Sequence, residues 1–273
     1  METLIVVPAR YGSSRYPGKP LAEIAGRSMV SRVARRALAA ANQIGDAKTV
    51  VATDDQRIID HCAQHDMDAV LTSPDLPSGS DRALAAAQAL RVKPKFVVNL
   101  QGDAPFTPID YLVKVIERLR ENTADVATPV VQLDWQSLDA MRSAKRDSPF
   151  SGTTVILGPN NRALWFSKNI IPAIRDETNQ RQQTTLSPVR RHVGLYGFRF
   201  ETLEWFVSAK ESPYEKTEGL EQLRLLESGR SIACVEVAAP PLSIGGIDTP
   251  QDLARVEALI ESDGDPDLEF FAT

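Results

Sequence analysis

The chain has 273 residues, of which 42% are hydrophobic and 25% charged, which is the composition of a globular protein. Its formal net charge of −5 argues against a general nucleic-acid binder, which needs a basic surplus, but leaves room for a local basic pocket. Cys62 and Cys234 are too few for a disulfide framework or a cysteine zinc site, so we expect a cytoplasmic protein. The first residues do not read as a signal peptide, and no apolar run is long enough for a membrane span.

The chain up to about residue 120 alternates short apolar runs with amphipathic stretches. Continuous β-branched runs predict strands buried on both faces, and apolar residues three or four apart predict helices. The predicted strands are Leu4–Pro8, Thr49–Ala52, Ala69–Thr72 and Lys95–Leu100. The predicted helices are Ser28–Ala41, Gln56–His65, Asp81–Leu90 and Thr107–Leu119. This alternation predicts an α/β fold with a mostly parallel sheet.

The chain from about residue 125 onward has more strands, with fewer helices between them. The predicted strands are Asp125–Val131, Thr153–Leu157, Ala163–Ser167 and Val193–Phe200. The predicted helices are Thr202–Lys210, Gly219–Ser228 and Thr249–Glu261. The polar stretch Asp176–Ser187 predicts a mobile loop, and the acidic residues 263–273 predict a frayed tail. Because no repeat or linker interrupts the chain, we expect a single domain over residues 1–262.

A loop rich in cations and glycine follows the first predicted strand. Arg10, Arg15 and Lys19 lie within ten residues, with Gly12 and Gly18 between them. Glycine lets backbone N–H groups approach an anion, and arginine and lysine both bind phosphate oxygens. The spacing matches neither the dinucleotide GxGxxG pattern nor the GxxxxGK[ST] loop. The loop therefore predicts a triphosphate site of another kind, and a solvated basic loop is the alternative.

Two aspartates follow segments that we expect to end near that loop. Asp103 comes just after the strand Lys95–Leu100, a position where a carboxylate suits Mg²⁺. The alternative is that Asp103 only forms a turn that starts the next helix. Asp248 precedes Thr249-Pro250, so on local grounds it is more simply a helix N-cap. If the two tips converge, as the carboxyl ends of strands do in an open α/β sheet, the two carboxylates form a pair around one metal ion.

Taken together, these segments resemble the cytidylyltransferases that activate 3-deoxy-manno-octulosonate (KDO), the CMP-KDO synthetases of lipopolysaccharide assembly. The match runs from Ile5 to about Ala258, and the order of the segments makes it specific. The matching segments are PARYGSSRYPGKPL at 8–21, VATDD at 51–55, SGSDR at 78–82, NLQGD at 99–103, RHVGLYG at 191–197, LEQLR at 220–224 and DTPQDL at 248–253.

The resemblance implies a nucleotidyltransferase with a Rossmann-like sheet and a strand-containing dimerisation arm within about residues 125–215. It implies a homodimer that uses CTP and an ulosonic acid as substrates, requires Mg²⁺, and releases pyrophosphate as it forms the CMP-sugar.

The resemblance also implies roles for individual residues. The catalytic residues it implies are Lys19, Arg10, Arg15 and Asp103. The nucleotide site comprises Pro8, Ala9, Arg10, Ser13, Lys19, Ser78, Gly79, Ser80 and Arg82. The sugar acid would be surrounded by Arg15, Gln101, His192, Tyr196, Glu221 and Gln222. Mg²⁺ would be bound by Asp103 and Asp248.

Three positions depart from the family pattern. Ala104 stands where the family has Glu, Thr154 near a family Lys, and Lys168 where the family has Arg. These changes alter charge or donor geometry on the sugar side, since Lys cannot replace the planar fork of Arg. The acceptor is therefore KDO or a related ulosonic acid, and we keep two further alternatives. One is a nucleotidyltransferase for a different sugar acid or a sugar phosphate, and the other is a non-catalytic nucleotide-binding homologue.

Overall fold

The computed structural model describes residues 1–12, 16–240 and 246–267. The chain divides into two compact units. The first is formed by Met1–Ile116 together with Pro240–Thr273, and the second by Glu117–Ala239. The predicted α/β class with a mostly parallel sheet is confirmed, and the single-domain prediction stays a prediction.

The first unit contains a parallel sheet with strand order β5-β4-β1-β6. Its strands read LIVV, TVVA and FVVN, and they are almost fully buried because helices cover both faces of such a sheet. The strands are β1 (Thr3–Ala9), β2 (Glu23–Ile24), β3 (Arg27–Ser28), β4 (Ala47–Thr53), β5 (Ala69–Leu71) and β6 (Phe96–Leu100), of which β2 and β3 form a separate two-stranded pair. Since the four strands run in one direction, their carboxyl ends lie along one edge.

Helices connect these strands where apolar spacing predicts them. The helix α1 begins after Ser28, whose hydroxyl accepts a hydrogen bond from the backbone N–H of Ser31, and it buries Met29, Val33 and Ala37. The helices that complete the unit are α1 (Met29–Ile44), α2 (Gln56–Gln64), α3 (Gly79–Ala89), α4 (Ile109–Arg120, whose last turn belongs to the second unit) and α10 (Pro250–Asp263).

The C-terminal residues of the first unit are docked, so the prediction of a frayed tail is wrong for the part that the structure describes. The guanidinium of Arg32 is fully buried and donates to Asp265 at 2.9 and 2.8 Å and to Asp267 at 2.7 Å. Arg36 donates to Asp267 and, at 3.1 Å, to the carbonyl oxygen of Thr107. The acidic tail is therefore bound to α1 by buried ion pairs, which composition alone does not reveal.

The second unit has a mixed sheet with strand order β11-β7-β10-β8-β9, in which β12 pairs in parallel with β7. Its strands are β7 (Val126–Asp134), β8 (Thr154–Leu157), β9 (Ala163–Ser167), β10 (Leu186–His192), β11 (Leu195–Arg199) and β12 (Ile232–Glu236). Its helices are α5 (Trp135–Asp147), α6 (Glu177–Gln183), α7 (Phe200–Ser208), α8 (Pro213–Glu218) and α9 (Gln222–Glu227).

The stretch Asp176–Ser187, predicted as a loop, contains α6 and the start of β10. Glu177 accepts two hydrogen bonds from Arg142, at 2.7 and 2.8 Å, and others from Arg181. These guanidinium groups lower the pKa of Glu177 to about 2. The loop prediction was therefore wrong for this part of the stretch, because its polar residues form a short helix that ion pairs hold to α5. Among the residues that the structure describes, no helix is both long and apolar enough to cross a membrane.

Candidate active site

A cleft of about 230 Å³ opens in the first unit, beyond the carboxyl ends of β1 and β6. This is the place where open parallel sheets bind ligands. The predicted site residues that line the cleft are Pro8, Ala9, Arg10, Lys19, Ser78, Gly79, Arg82, Gln101, Asp103 and Asp248. Leu76 and Pro77 also line it and were missed, because no charge or glycine marks them in the sequence.

Lys19 lies between the two predicted metal ligands. Its Nζ is 3.1 Å from Oδ2 of Asp103 and 3.2 Å from Oδ1 of Asp248, and its side chain is only 14% exposed. The two carboxylates are separated by 145 positions in the sequence, yet both reach one cation. The predicted convergence of Asp103 and Asp248 is therefore present in the first unit.

Two glycines shape the backbone around this cluster. Gly18 has φ 74° and precedes a short 3-10 helix over Lys19–Leu21, and a side chain there would also crowd the ring of Tyr11. At Gly102, a Cβ atom would lie 2.2 Å from the carbonyl oxygen of Pro8, so only glycine lets the two loops approach this closely. The motif Gln101-Gly102-Asp103 thus places its carboxylate beside the cation-rich loop that follows β1, which we call the phosphate loop because of the role predicted for it.

Asp248 is not the cap of α10, so the local capping interpretation is wrong. Thr249 is the N-cap, and its hydroxyl accepts a hydrogen bond from the backbone N–H of Asp252, whose carboxylate accepts from the backbone N–H of Thr249 in return. The backbone N–H of Ile247 donates to the carbonyl oxygen of Asp103 at 2.9 Å. With the helix start capped by its neighbours, the Asp248 carboxylate is left to contact Lys19.

Arg82 lines the cleft, and its guanidinium is held by two residues that do not line the cleft. It donates to Thr72 Oγ1 at 2.6 Å and forms an ion pair with Asp54 at 3.5 Å. Burial lowers the pKa of Arg82, and the charge of Arg10 acts in the same direction. Asp54 also accepts from the backbone N–H of Tyr11 at 3.1 Å, so it ties the phosphate loop to Arg82. Asp54 belongs to the matching segment VATDD, but the sequence alone does not indicate this role.

The turn before α3 forms another wall of the cleft. Ser78 is the N-cap of α3, and its hydroxyl accepts from the backbone N–H groups of Ser80 and Asp81. Ser80 itself is buried and does not line the cleft, and Asn99 Nδ2 lies 3.5 Å from its hydroxyl. Among the described residues Asn99 Oδ1 has no hydrogen-bond partner. Because the Ser78 hydroxyl caps α3 and Ser80 is buried, the groups of this turn that can contact a ligand are mainly Gly79 and the backbone of Ser78.

The second unit brings together three of the residues predicted to surround the sugar acid. The ring of His192 lies 5.3 Å from that of Tyr196. Burial raises the pKa of the Tyr196 phenol, and the charge of Glu221 acts in the same direction. Gln222 is buried, and its Nε2 has no hydrogen-bond partner among the described residues. A buried amide donor without a partner is costly in a folded protein and points to a ligand or water that the residue serves.

His192 is held in its neutral form. Its Nε2 lies 2.8 Å from Thr128 Oγ1, and that hydroxyl also lies 2.8 Å from the carbonyl oxygen of Leu195, to which it donates. Nε2 therefore carries the proton and Nδ1 the lone pair. Burial and the charge of Lys168 lower the pKa of His192 to about 3. Thr128 is a direct neighbour of His192 that the sequence did not indicate, because nothing distinguishes it from other strand residues.

The departures from the family pattern fall into different surroundings. Thr154 is fully buried and donates to the carbonyl oxygen of Asn169 at 2.6 Å, while the backbone N–H of Ile171 donates to it. Burial lowers the pKa of Lys168, and Glu218 acts against that shift. Ala104 lies in the turn after Asp103, where its N–H donates to the carbonyl oxygen of Gln101.

The predicted site residues Ser13 and Arg15 lie outside the described residues.

Comparison with known proteins gives the class to which this fold and cleft belong. A sequence model of the family described as cytidylyltransferase matches residues 4–232. The chain is 43% identical to the 3-deoxy-manno-octulosonate cytidylyltransferase of Maricaulis maris, with 97% of this chain and 99% of that protein covered. It is 41% identical to the protein of the same name from Methylibium petroleiphilum, with 97% of each chain covered.

A solved structure of CMP:2-keto-3-deoxy-manno-octonic acid synthetase complexed with CTP matches with a TM-score of 0.82 and 34% identity, covering 96% of this chain and all of that one. The chain therefore belongs to the family of 3-deoxy-manno-octulosonate cytidylyltransferases, as the sequence motifs imply. A 4-diphosphocytidyl-2C-methyl-D-erythritol synthase from Anaerococcus prevotii, 12% identical with a TM-score of 0.56, shares the fold alone.

Proposed function

We propose that this protein transfers CMP from CTP to the anomeric hydroxyl of 3-deoxy-manno-octulosonate and releases pyrophosphate. The observation that carries the proposal is the convergence of Lys19, Asp103 and Asp248 in a cleft that Arg10 and the turn at Ser78 also line. The named activity of the relatives and the CTP bound in the similar structure support the same reaction. Such an enzyme supplies the activated sugar for lipopolysaccharide assembly, and we place it in the cytoplasm.

The chemical difficulty is the attack of a weak nucleophile on a crowded, anionic phosphorus. A bond forms between the acceptor oxygen and the α-phosphorus, while the bond from that phosphorus to the bridging oxygen of the β-phosphate breaks and pyrophosphate leaves. Positioning and charge neutralisation supply most of the catalysis in reactions of this type. Arg10 and Lys19 line the cleft with positive charge. In the proposal they bind the triphosphate, and Lys19 stabilises the charge that develops at the α-phosphate.

The donor set of the cleft fits Mg²⁺. Asp103 and Asp248 direct one oxygen each to a single cation, which in this structure is the ammonium of Lys19. Mg²⁺ is usually bound by one or two carboxylates together with waters and substrate phosphates, and two carboxylates beside a phosphate loop match that pattern. When bound, the ion would neutralise phosphate oxygens and lower the pKa of a hydroxyl next to it. We propose that Asp103 and Asp248 hold it.

For the sugar acid we propose the residues of the second unit that the resemblance implies, which are His192, Tyr196, Glu221 and Gln222. The buried Nε2 of Gln222 provides a donor for a sugar oxygen. The neutral imidazole of His192 provides a hydrogen-bonding edge at Nδ1, and the low pKa of His192 makes it a weak proton acceptor at neutral pH. Its proposed task is therefore to orient the sugar rather than to remove the hydroxyl proton. We further propose a homodimer formed through the strand-rich region within residues 125–215.

A pyrophosphate-release assay tests the reaction. CTP, UTP, ATP and GTP are each combined with KDO, an amino-substituted ulosonic acid, a sugar 1-phosphate or no acceptor. We expect Mg²⁺-dependent release only with CTP and an ulosonic acid, and fastest with KDO. Turnover with the sugar 1-phosphate alone would replace the proposal with the sugar-phosphate alternative, and absence of turnover with every pair would support a non-catalytic nucleotide-binding protein. Light scattering at micromolar concentration tests the dimer, and a monomer would contradict it.

A further inference from the structure

A second cavity lies in the first unit between α1 and α2, and it shares no lining residue with the cleft described above. Its volume is about 440 Å³. We call it the α1–α2 cavity and define it by the polar side chains that line it, which are Glu23, Arg27, Ser28, Ser31, Arg35, His61 and His65. The proposed reaction uses none of these residues.

Hydroxyl and imidazole groups converge on one side of the α1–α2 cavity. His61 Nε2 lies 2.7 Å from Ser28 Oγ and 3.1 Å from Ser31 Oγ, and the two hydroxyls are 2.8 Å apart. His65 Nδ1 lies 2.8 Å from the carbonyl oxygen of His61, and only a protonated nitrogen can bond to that acceptor. Protonation of His65 therefore adds a second N–H donor at Nε2.

The ionisable groups that line the cavity are predominantly basic. They are Arg27, Arg35, His61 and His65, with Glu23 as the carboxylate among the lining residues. In a chain whose net charge is −5, this is a local excess of positive charge. Arg27 also interacts with a carboxylate outside the cavity. The hydrogen bond from Arg32 is the main cause of the lowered pKa of Asp265, and the charge of Arg27 adds to it. Arg35 donates to the carbonyl oxygen of His65 through Nη2 at 3.2 Å, which fixes its guanidinium beside the imidazoles.

The imidazoles of His61 and His65 lie against each other. Their ring centroids are 4.2 Å apart, and burial, followed by the charge of His65, lowers the pKa of His61. An anion placed among the two rings and the two guanidinium groups would offset this repulsion and accept their N–H donors. Arginine matches phosphate oxygens in two-point geometry, and protonated histidine adds charge-assisted hydrogen bonds.

We propose that the α1–α2 cavity is a second anion site, which binds a small phosphate-class oxyanion, inorganic phosphate or pyrophosphate, through Arg27, Arg35, His61 and His65. The hydroxyls of Ser28 and Ser31 complete the set of hydrogen-bonding groups. The site is separate from the triphosphate cleft, so its occupancy does not depend on Lys19 or on the two carboxylates that contact Lys19.

Histidine NMR tests this site directly, because the chain has three histidines and two of them line the cavity. The protein is labelled at its imidazoles and titrated with phosphate or with pyrophosphate, and chloride at matched ionic strength serves as the reference. We expect saturable shifts of the His61 and His65 resonances, a raised pKa of His61, and an unchanged His192. The tighter of the two titrations identifies the preferred anion. Shifts that chloride reproduces, or that do not saturate, would overturn the proposal.

Variants separate this site from the cleft. Arg35→Gln should weaken binding measured at His61 about tenfold, the effect of one lost charge-assisted contact. Lys93→Gln removes the same charge at an exposed position outside the cavity and should leave binding unchanged. Lys19→Ala should also leave the His61 response intact, although it impairs the cleft. An equal effect of Arg35→Gln and Lys93→Gln, or loss of the response in Lys19→Ala, would contradict the assignment.

Discussion

The ammonium of Lys19 contacts two carboxylates and lies where the triphosphate is proposed to bind, so its removal changes the charge of the whole cleft. We predict that Lys19→Ala lowers kcat by about 10²-fold or more, the effect expected when a group that stabilises transition-state charge is lost. Steady-state pyrophosphate release measures it. Lys95→Ala, which removes an exposed lysine just before β6, is the control and should retain the full rate. A near-normal rate in Lys19→Ala would show that the loop is not the phosphate site.

The carboxylates of Asp103 and Asp248 should act as a pair. We predict that Asp103→Asn and Asp248→Asn each abolish most activity, and that the double variant is little worse than either, because groups acting as one unit are not additive. Mg²⁺ titrations of the rate are the measurement.

The capping pattern supplies a control for Asp248. Since Thr249 and Asp252 cap α10, Asp248→Asn should leave the free energy of unfolding within about 0.5 kcal/mol of the wild type. Asp252→Ala should instead cost about 1 kcal/mol and keep the Mg²⁺ dependence. Unchanged activity and Mg²⁺ dependence in Asp248→Asn would rule out the paired-carboxylate site.

Gly102 has no room for a side chain, because a Cβ atom there would lie 2.2 Å from the carbonyl oxygen of Pro8. We predict that Gly102→Ala destabilises the protein by about 1–3 kcal/mol, as overpacking usually does, and also weakens CTP binding, because the two loops must move apart. Denaturant unfolding and calorimetric titration with CTP measure the two effects. Gly12→Ala, whose Cβ meets nothing within 4 Å, should not change stability. Equal stability of the two variants would show that the loops separate at no cost.

At the scale of elements, α10 is fixed at both ends. Its apolar side packs with Phe106 and Ile247 in a buried cluster, and Asp267, shortly after its end, pairs with Arg32 and Arg36. We predict that Asp267→Asn destabilises the protein by about 3 kcal/mol or more, because removing one partner of a buried ion pair leaves the other charge poorly compensated.

Denaturant unfolding of Asp267→Asn measures that loss, and Asp263→Asn is its control. Asp263 is exposed at the end of α10, and its substitution should be neutral. A stability loss equal in the two variants would mean that the ion pairs with α1 contribute nothing specific.

Elements with a strong local pattern were predictable, and those that depend on distant partners were not. The strands β1, β4 and β6 are continuous apolar runs, and α1 has both a serine cap and regular apolar spacing. In contrast, α6 has no buried residue and is held by Arg142 of α5, which no local pattern reveals. The helix α5 and the strand β12 were also missed.

At the scale of the molecule, the stability of the protein should depend on pH through His192. The pKa of His192 is about 3 in the folded protein, whereas that of an unfolded histidine is about 6.5. Between these values the unfolded chain binds a proton that the folded protein does not, so stability falls as the pH is lowered through this window. We predict that His192→Gln, which keeps an N–H donor for Thr128, shows a shallower loss of stability between about pH 6.5 and 4. Identical slopes for the two proteins would contradict the neutral imidazole.

The candidate site was predictable in its first-unit part because glycines, cations and carboxylates mark the ends of recognisable strands. The sequence pattern DTP at 248–250 misled in one detail, since both Asp and Thr cap helices and the pattern cannot say which one does. Thr72 and Thr128 became visible only once the fold placed them beside Arg82 and His192. Side chains that support a site from behind carry no sequence signal of their own.

The first unit is assembled from both ends of the chain, and this has a consequence for biosynthesis. Translation completes residues 117–239, the second unit, before it reaches Asp248 and the acidic residues that dock on α1. A nascent chain therefore has the phosphate loop and Asp103 long before the second carboxylate exists. Because Asp248 supplies the second carboxylate that Lys19 contacts, truncated translation products that stop before residue 248 keep the nucleotide motifs but lack the completed charge cluster.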